Sequence, residues 1–320
     1  GGDTGIDLYT MAVSDVYQDL FGAGIYVGNG IYEVDSFERS LQERIPENTL
    51  LSHDLFEGIH GRVGLVSDIV LYEEYPPHYL VNVLRSHRWV RGDWQLVPWL
   101  LQWDNDQLDE IDLWKIIDNL RRSLLPPALL LLFLAGWTIL PGSPLVWTLL
   151  GLLTPAFSLI TGLITTLLHG LRSRDGVSWL GVIRSLQDRG IRWLLFLAFL
   201  PYEALLNLDA IATTLVRLWI TRRHMLEWTT AARTVRIFGD EVTATTTFMK
   251  MLPSLVLTAV MALVVIVVRH TALPIALPFI ATWLFAWQIA YWINRPDKQQ
   301  AVALTADQER FMPWRTTDGK

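Results

Sequence analysis

The sequence predicts an α/β water-soluble segment followed by a membrane-embedded α-helical one, and three observations lead there. Charge is scarce: 18% of the 320 residues are Asp, Glu, Lys or Arg, against about 25% in a soluble domain. The deficit is local, because residues 124–168, 252–268 and 271–293 contain none of the four. Runs of that length read as transmembrane helices, since about 20 apolar residues cover the hydrocarbon of a bilayer. The first 123 residues carry charge at ordinary density, and there β-branched and aromatic residues around glycines alternate with helical patterns. Cysteine is absent, which excludes disulfides and thiolate chemistry. A net charge of −6 gives no footing for nucleic acid.

In chain order, residues 24–34 (GIYVGNGIYEV) predict strand and tight turns. Asp35 then caps a short helix through Phe37 and Leu41, and Pro46-Glu47-Asn48 is a loop. Ser52 is a good N-cap for a helix through Leu55, Phe56 and Ile59, with Asp54 in the first turn, where the helix dipole favours a carboxylate. Residues 66–72 predict a second strand, Pro76-Pro77 a break, and residues 78–96 an amphipathic helix. The opening Gly1-Gly2-Asp3 and the polar close Thr317-Asp318-Gly319-Lys320 read as those of an internal segment.

These residues carry a resemblance. Gly28-Asn29-Gly30-Ile31-Tyr32, Ser52-His53-Asp54, Tyr75-Pro76-Pro77 and Arg85-Ser86-His87-Arg88-Trp89 occur in that order. The order is similar to that of processive family-two glycosyltransferases, with Ser-His-Asp where those have Thr-Glu-Asp and Arg-Ser-His-Arg-Trp where they have Gln-x-x-Arg-Trp. The longer wording, through Pro46-Glu47-Asn48, Leu55-Phe56-Glu57-Gly58 and Arg91-Gly92-Asp93-Trp94-Gln95, resembles the cyclic β-1,2-glucan synthases specifically. The resemblance is strong over the soluble segment and looser in the membrane segment, as at Leu226-Glu227-Trp228-Thr229-Thr230.

The resemblance implies the C-terminal part of a GT-A-like domain. It further implies inverting transfer of glucose from UDP-glucose to a growing β-glucan, with Asp54 as the catalytic base and Arg88 and Trp89 binding substrate. Arg85, which replaces the motif's first Gln, and Arg91 join them as substrate-binding candidates. A divalent metal, Mg2+ or Mn2+, is implied for the whole enzyme, held by an Asp-x-Asp pair upstream of the base. No such pair precedes Asp54, and Asp104-Asn105-Asp106 follows the Arg-Trp motif in a polar linker, so the metal ligands and much of the nucleotide site are expected outside this chain, which alone is expected to be inactive. Another processive synthase, of the cellulose or hyaluronan type, and a non-catalytic membrane anchor are the alternatives.

Each residue also has a plainer reading. Asp54 suits a base, being a carboxylate at a helix start, but it is equally a second capping carboxylate beside Ser52. Arg88 offers a permanent charge and paired donors to a diphosphate, or is a solvated helix arginine. Trp89 gives a sugar a flat face, or packs in a core. His53, Glu57 and His60 share one helix face; without a ligand from another element they read as a polar cleft wall rather than a metal site.

In the membrane segment, residues 124–140 and 145–168 are expected to span, joined by Pro141-Gly142-Ser143-Pro144, and residues 252–268 and 273–293 to form a second pair about Arg269-His270-Thr271. Residues 193–220 contain Pro201, Glu203, Asn207, Asp209 and Arg217, and are expected to lie in the interface on the face of Leu205, Leu208, Ala212, Leu215 and Trp219. Trp179, Ile183 and Leu186 form a similar face upstream. Basic residues on both sides, from Arg172 to Arg192 and from Arg222 to Lys250, would then both stay cytoplasmic. A transporter is disfavoured, because the spans hold little beyond Thr, Ser and Gln288 as polar side chains.

The expected organisation is a cytoplasmic half-domain over 1–103, a polar linker or interfacial helix over 104–123, two spans over 124–169, and cytoplasmic interfacial helices with a loop over 170–250. Two further spans over 251–293 and a linker to another domain over 294–320 complete it. The expected location is a bacterial inner membrane, with upstream and downstream domains of the same protein as partners.

Overall fold

A computed structural model describes residues 16–26, 30–50, 53–66, 78–101, 108–172, 179–227 and 243–294. Every regular element among them is helical, and none is a strand. This overturns the α/β, GT-A-like expectation for the soluble segment. Residues 23–26 are extended, but Gly24 N–H reaches the Val63 carbonyl (2.8 Å), and Tyr26 lies over Gly58, where an added Cβ would come within 2.7 Å of Tyr26 Cβ. Tyr26 of the β-like pattern is covered by a helical residue, Gly58, and a strand needs a ladder partner to satisfy its backbone. The second expected strand lies outside the described residues from 67 onward.

The first helices are short: α1 (Val16–Phe21), α2 (Val34–Leu41) and α3 (Asp54–Gly61). Glu33, not Asp35, caps α2, its carboxylate accepting from Asp35 and Ser36 N–H. His53, not Ser52, caps α3, its Nδ1 accepting from Phe56 N–H. Ser52 itself lies outside the described residues. The expected amphipathic helix is present as α4 (Tyr79–Gln95), followed by α5 (Val97–Leu101). Phe56, Leu96 and Ile116 are buried together beside Trp99; full burial of such a side chain is worth about 1.5–3 kcal/mol, and this small core joins α3 to the first long helix.

That helix is α6 (Glu110–Thr138), started by the Asp109 carboxylate on Asp112 N–H (2.8 Å). The first turns of α7 (Pro144–Arg172) pack back on it, with Gly151 backed onto Phe133 and Trp137 Nε1 donating to Thr148 Oγ1 (2.9 Å). The stretches around Trp179 and Trp193 form a single helix, α8 (Trp179–Val216), of 38 residues, ending in a π-helical turn, Arg217–Thr221. α9 (Ala244–Arg269) and the pair α10 (Leu273–Leu284) and α11 (Ala286–Ile293) form a hairpin about His270–Ala272. Arg269 donates to the carbonyls of Leu140 and Gly142, so the turn after α6 and the turn after α9 lie at one end of the bundle.

Three described stretches are long and apolar enough to cross a membrane: Glu110–Thr138, Val182–Thr221 and Ala244–Leu284. Leu197, Leu200 and Ala204 of α8 are buried in one cluster with Phe133, Trp137, Val265 and Trp283. Trp283 Nε1 donates to the Leu197 carbonyl (2.8 Å), at the layer where Trp283 meets Trp137, and further along Asn207 Nδ2 donates to the Ser123 carbonyl (2.8 Å). α8 thus runs antiparallel to the apolar half of α6.

Candidate functional site

α4 is fixed to this bundle along its length. At its start, Tyr79 N–H donates to Asn294 Oδ1 (2.8 Å) and the Tyr79 ring stacks on Phe199 at 4.1 Å. In its middle, Val90 packs on Ala210 and Ile211, and His87 Nε2 meets Asp209 Oδ2 at 2.9 Å. Near its end, Trp94 Nε1 donates to Ser123 Oγ (2.9 Å) and Gln95 Nε2 to the Met225 carbonyl (2.8 Å). The Arg-Trp motif therefore sits on a helix whose other side belongs to the membrane segment.

α3 meets the free face of α4 at Gly92. A Cβ there would sit 3.1 Å from His53 Cδ2, and His53 Nε2 is 3.2 Å from Asp93 Oδ1. This close approach sets Asp54, first residue of α3, near Arg88, one turn before Gly92. Burial raises the Asp54 pKa above the ordinary carboxylate range, Glu57 raises it further, and His53 and Arg88 oppose the rise. Burial likewise lowers the Arg88 pKa, with Asp54 acting against the fall and Arg85 adding to it. Tyr26 faces the same carboxylate: its phenol is raised first by burial, then by Asp54.

Of the expected site residues, Asp54, Arg88 and Arg85 come together. The Arg85 guanidinium lies 4.6 Å from the centre of the Trp89 ring, and Trp89 is 49% exposed, so the ring is not core. Arg91 does not join them. It turns towards Arg217, Glu227 and Asp209 at the end of α8, and burial and Arg217 lower its pKa.

The three residues sharing a face of α3 part company. His53 goes to Asp93, Glu57 Oε1 accepts from His53 N–H (3.1 Å), and His60 Nδ1 meets Arg44 Nη1 at 2.8 Å. Burial and Arg44 hold His60 down at about 4, so it is neutral at physiological pH. Among the described residues no three His, Asp or Glu side chains converge as a metal requires, and Asp104 and Asp106 lie outside them. The described residues do not fit the implied metal.

Asp93 stands out in the sequence only within Arg91-Gly92-Asp93-Trp94-Gln95, and Asn119 carries no signal there. Asp93 Oδ1 accepts from Asn119 Nδ2 of α6 at 2.8 Å as well as facing His53. The available signal was Gly92-Asp93 one turn beyond Arg88-Trp89, a helical glycine beside a carboxylate. No spacing rule connects it to Asn119.

No family model matches the chain. Over 313 residues, 95% of the chain, it is 37% identical to the cyclic β-(1,2)-glucan synthase NdvB of Rhizobium meliloti (strain 1021). The chain is a relative of part of a cyclic β-(1,2)-glucan synthase. It spans 11% of that protein's length. Because nearly the whole chain is matched, the relationship to the glucan synthase takes in α3, α4 and the helix bundle alike, and it agrees with the resemblance carried by the Ser-His-Asp and Arg-Trp motifs.

Proposed function

We propose that the chain is a membrane-embedded part of a glycosyltransferase that extends a β-glucan. The observation that carries this is the meeting of Asp54 with Arg88 across the α3–α4 contact, in a chain related to a glucan synthase. The donor is UDP-glucose and the acceptor a glucan hydroxyl. Asp54 takes the proton of that hydroxyl as its oxygen attacks the anomeric carbon. The bond from that carbon to the diphosphate oxygen breaks, the diphosphate leaves with the electron pair, and configuration inverts. A half-buried carboxylate with a raised pKa is a stronger base than an exposed one. Arg88, with Arg85 beside it, meets the charge that builds on the diphosphate. Trp89 offers its uncovered face to a sugar ring.

Vesicles containing the full-length protein should incorporate labelled glucose from UDP-glucose into a glucan; absence of incorporation would remove the reading. Trp89→Ala should weaken acceptor binding, raising the acceptor KM by roughly fivefold to tenfold, the size of a stacking contact of about 1 kcal/mol. An unchanged acceptor KM would return Trp89 to a packing role.

The topology belongs to the same reading. α6, α8, α9 and the α10–α11 pair make four crossings, with α8 crossing rather than lying flat. Support comes from the burial of Leu197, Leu200 and Ala204 inside the bundle and from the antiparallel course of α8 along α6. Beyond the crossing, Leu208 of α8 and Trp219 of the π-helical turn are exposed (47% and 52%) while Ala210 and Thr214 are buried; that outer stripe faces lipid headgroups. Cysteines introduced at positions 176 and 239 should then label from opposite sides of the membrane, with 239 and 300 cytoplasmic. Labelling of both 176 and 239 from the cytoplasm would mean that α8 does not cross.

A further inference from the structure

His53 has both ring nitrogens engaged. Its Nδ1 accepts the Phe56 N–H at 3.4 Å, closing the first turn of α3, so that nitrogen carries the lone pair and the proton resides on Nε2. Nε2 faces Asp93 Oδ1 at 3.2 Å, and the same oxygen accepts from Asn119 Nδ2 at 2.8 Å. Asn119 Oδ1 in turn accepts from Arg122. The imidazole is 8% exposed and lies against Gly92, whose missing Cβ leaves room for it. His53 thus has no nitrogen left for a substrate, and Asp93 touches no open face with the oxygen that binds it. What the pair controls is where the N-terminal turn of α3 sits against α4, and that turn begins with Asp54.

We propose that Asp93 is a positioning residue for glycosyl transfer: through His53 it holds the first turn of α3 so that the Asp54 carboxylate faces Arg88, and through Asn119 it ties this turn to α6. The proposal rests on the reading of Asp54 as the base. A carboxylate withdrawn from water is costly unless its lone pairs are used; the Asp93 side chain is only 17% exposed, and two donors from different elements use one of its oxygens. Displacing a catalytic group by about 1 Å can cost roughly 10²-fold in rate. Asp54 is faced by His53 and Glu57 of its own helix, by Arg88 and beyond it Arg85 of α4, and by Tyr26 of the preceding segment. His53 and Arg88 are the groups among these that favour the ionised form, and separation from Arg88 moves the acid limb of the pH–rate profile to higher pH.

The test uses the full-length protein in membranes. Asp93→Ala is expected to lower kcat by about 10²-fold, to leave the UDP-glucose KM nearly unchanged, and to move the acid limb upward. Asp93→Asn keeps an oxygen acceptor for both donors and should recover most of the lost kcat and the original limb. His53→Asn retains an N-cap but loses the reach to Asp93. It should reproduce the fall in kcat of Asp93→Ala, and it carries the test through kcat if Asp93→Ala fails to fold. A normal kcat in His53→Asn, or a fall in kcat in Asp93→Ala without movement of the acid limb, would leave Asp93 a structural staple and overturn the proposal. Asp54→Asn separates the two readings: if it turns over normally, the base assignment and the positioning role both fall. If it is inactive while His53→Asn keeps a normal kcat, only the positioning role falls.

Discussion

Asp54→Asn in the full-length protein should abolish measurable glucan synthesis, by about 10²–10⁴-fold, while donor binding and membrane insertion should stay intact. The substitution preserves shape and removes the proton acceptor. The competing account of Asp54 as a capping carboxylate predicts loss of stability instead, and the structure weakens that account, because His53 supplies the cap of α3 and Asp54 follows it. Two electrostatic effects on stability oppose each other. A carboxylate whose pKa is raised by burial is disfavoured in its ionised form by folding, so above its ordinary pKa its neutral replacement gains stability. Loss of a negative charge near the N-terminus of α3 costs about 0.3–1 kcal/mol. Melting should therefore shift little while turnover disappears. Near-normal turnover with an earlier melt would instead make Asp54 structural, and Glu57, which faces the same carboxylate, would be the next candidate.

The same raised pKa gives a pH dependence. The base works only when ionised, so the acid limb of kcat/KM should lie above the ordinary carboxylate range, and the rate should fall as pH drops through the folded-state pKa of Asp54. A limb at the ordinary carboxylate position would show that the carboxylate is solvated in the working enzyme.

The membrane segment was largely legible from residue type, because a charge-free run has few alternatives to a lipid or buried environment. The turn at Pro141-Gly142-Ser143-Pro144 and the hairpin at Arg269-His270-Thr271 follow from the same patterning and stand between the expected helices. α8 was harder to read. Its Glu203, Asn207 and Asp209 interrupt the apolar pattern, and local periodicity divided one helix into two surface pieces. Asn207 and Asp209 are used against Ser123 and His87, partners that lie 84 and 122 residues away in sequence. Such pairings have no local signature.

The soluble segment shows the opposite limit. Helices α3 and α4 follow from their turn and capping residues to within a residue or two, and the motif order brought Asp54 and Arg88 to notice. The strand expected around Tyr26 rested on β-branched and aromatic residues beside glycines, a pattern that describes any half-buried extended backbone. Here Gly58 of α3 provides the surface that Tyr26 covers. Arg91 continues the motif that holds Arg88, but three residues along a helix is a 60° rotation short of a full turn. That rotation sends Arg91 to α8 and leaves Arg88 on the Asp54 side.

Arg88 provides the second large effect, and its variants separate charge from geometry. Arg88→Lys retains the positive charge and loses the planar pair of donors suited to a diphosphate. A hydrogen bond to a charged group is worth about 1.5–3 kcal/mol, so turnover should fall by roughly 10–10²-fold, mainly in kcat/KM for UDP-glucose. Because the lysine ammonium still opposes the rise in the Asp54 pKa, the acid limb should stay in place. Arg88→Gln removes the charge as well. It should lower kcat/KM further and move the acid limb upward, since the largest remaining influences on Asp54 are burial and Glu57. This pattern differs from that of Asp93→Ala, which moves the limb without raising the donor KM. If Arg88→Gln leaves both the donor KM and the limb where they were, Arg88 is a solvated helix arginine and the diphosphate contact must be sought at Arg85, whose guanidinium lies over Trp89 on the same side of α4.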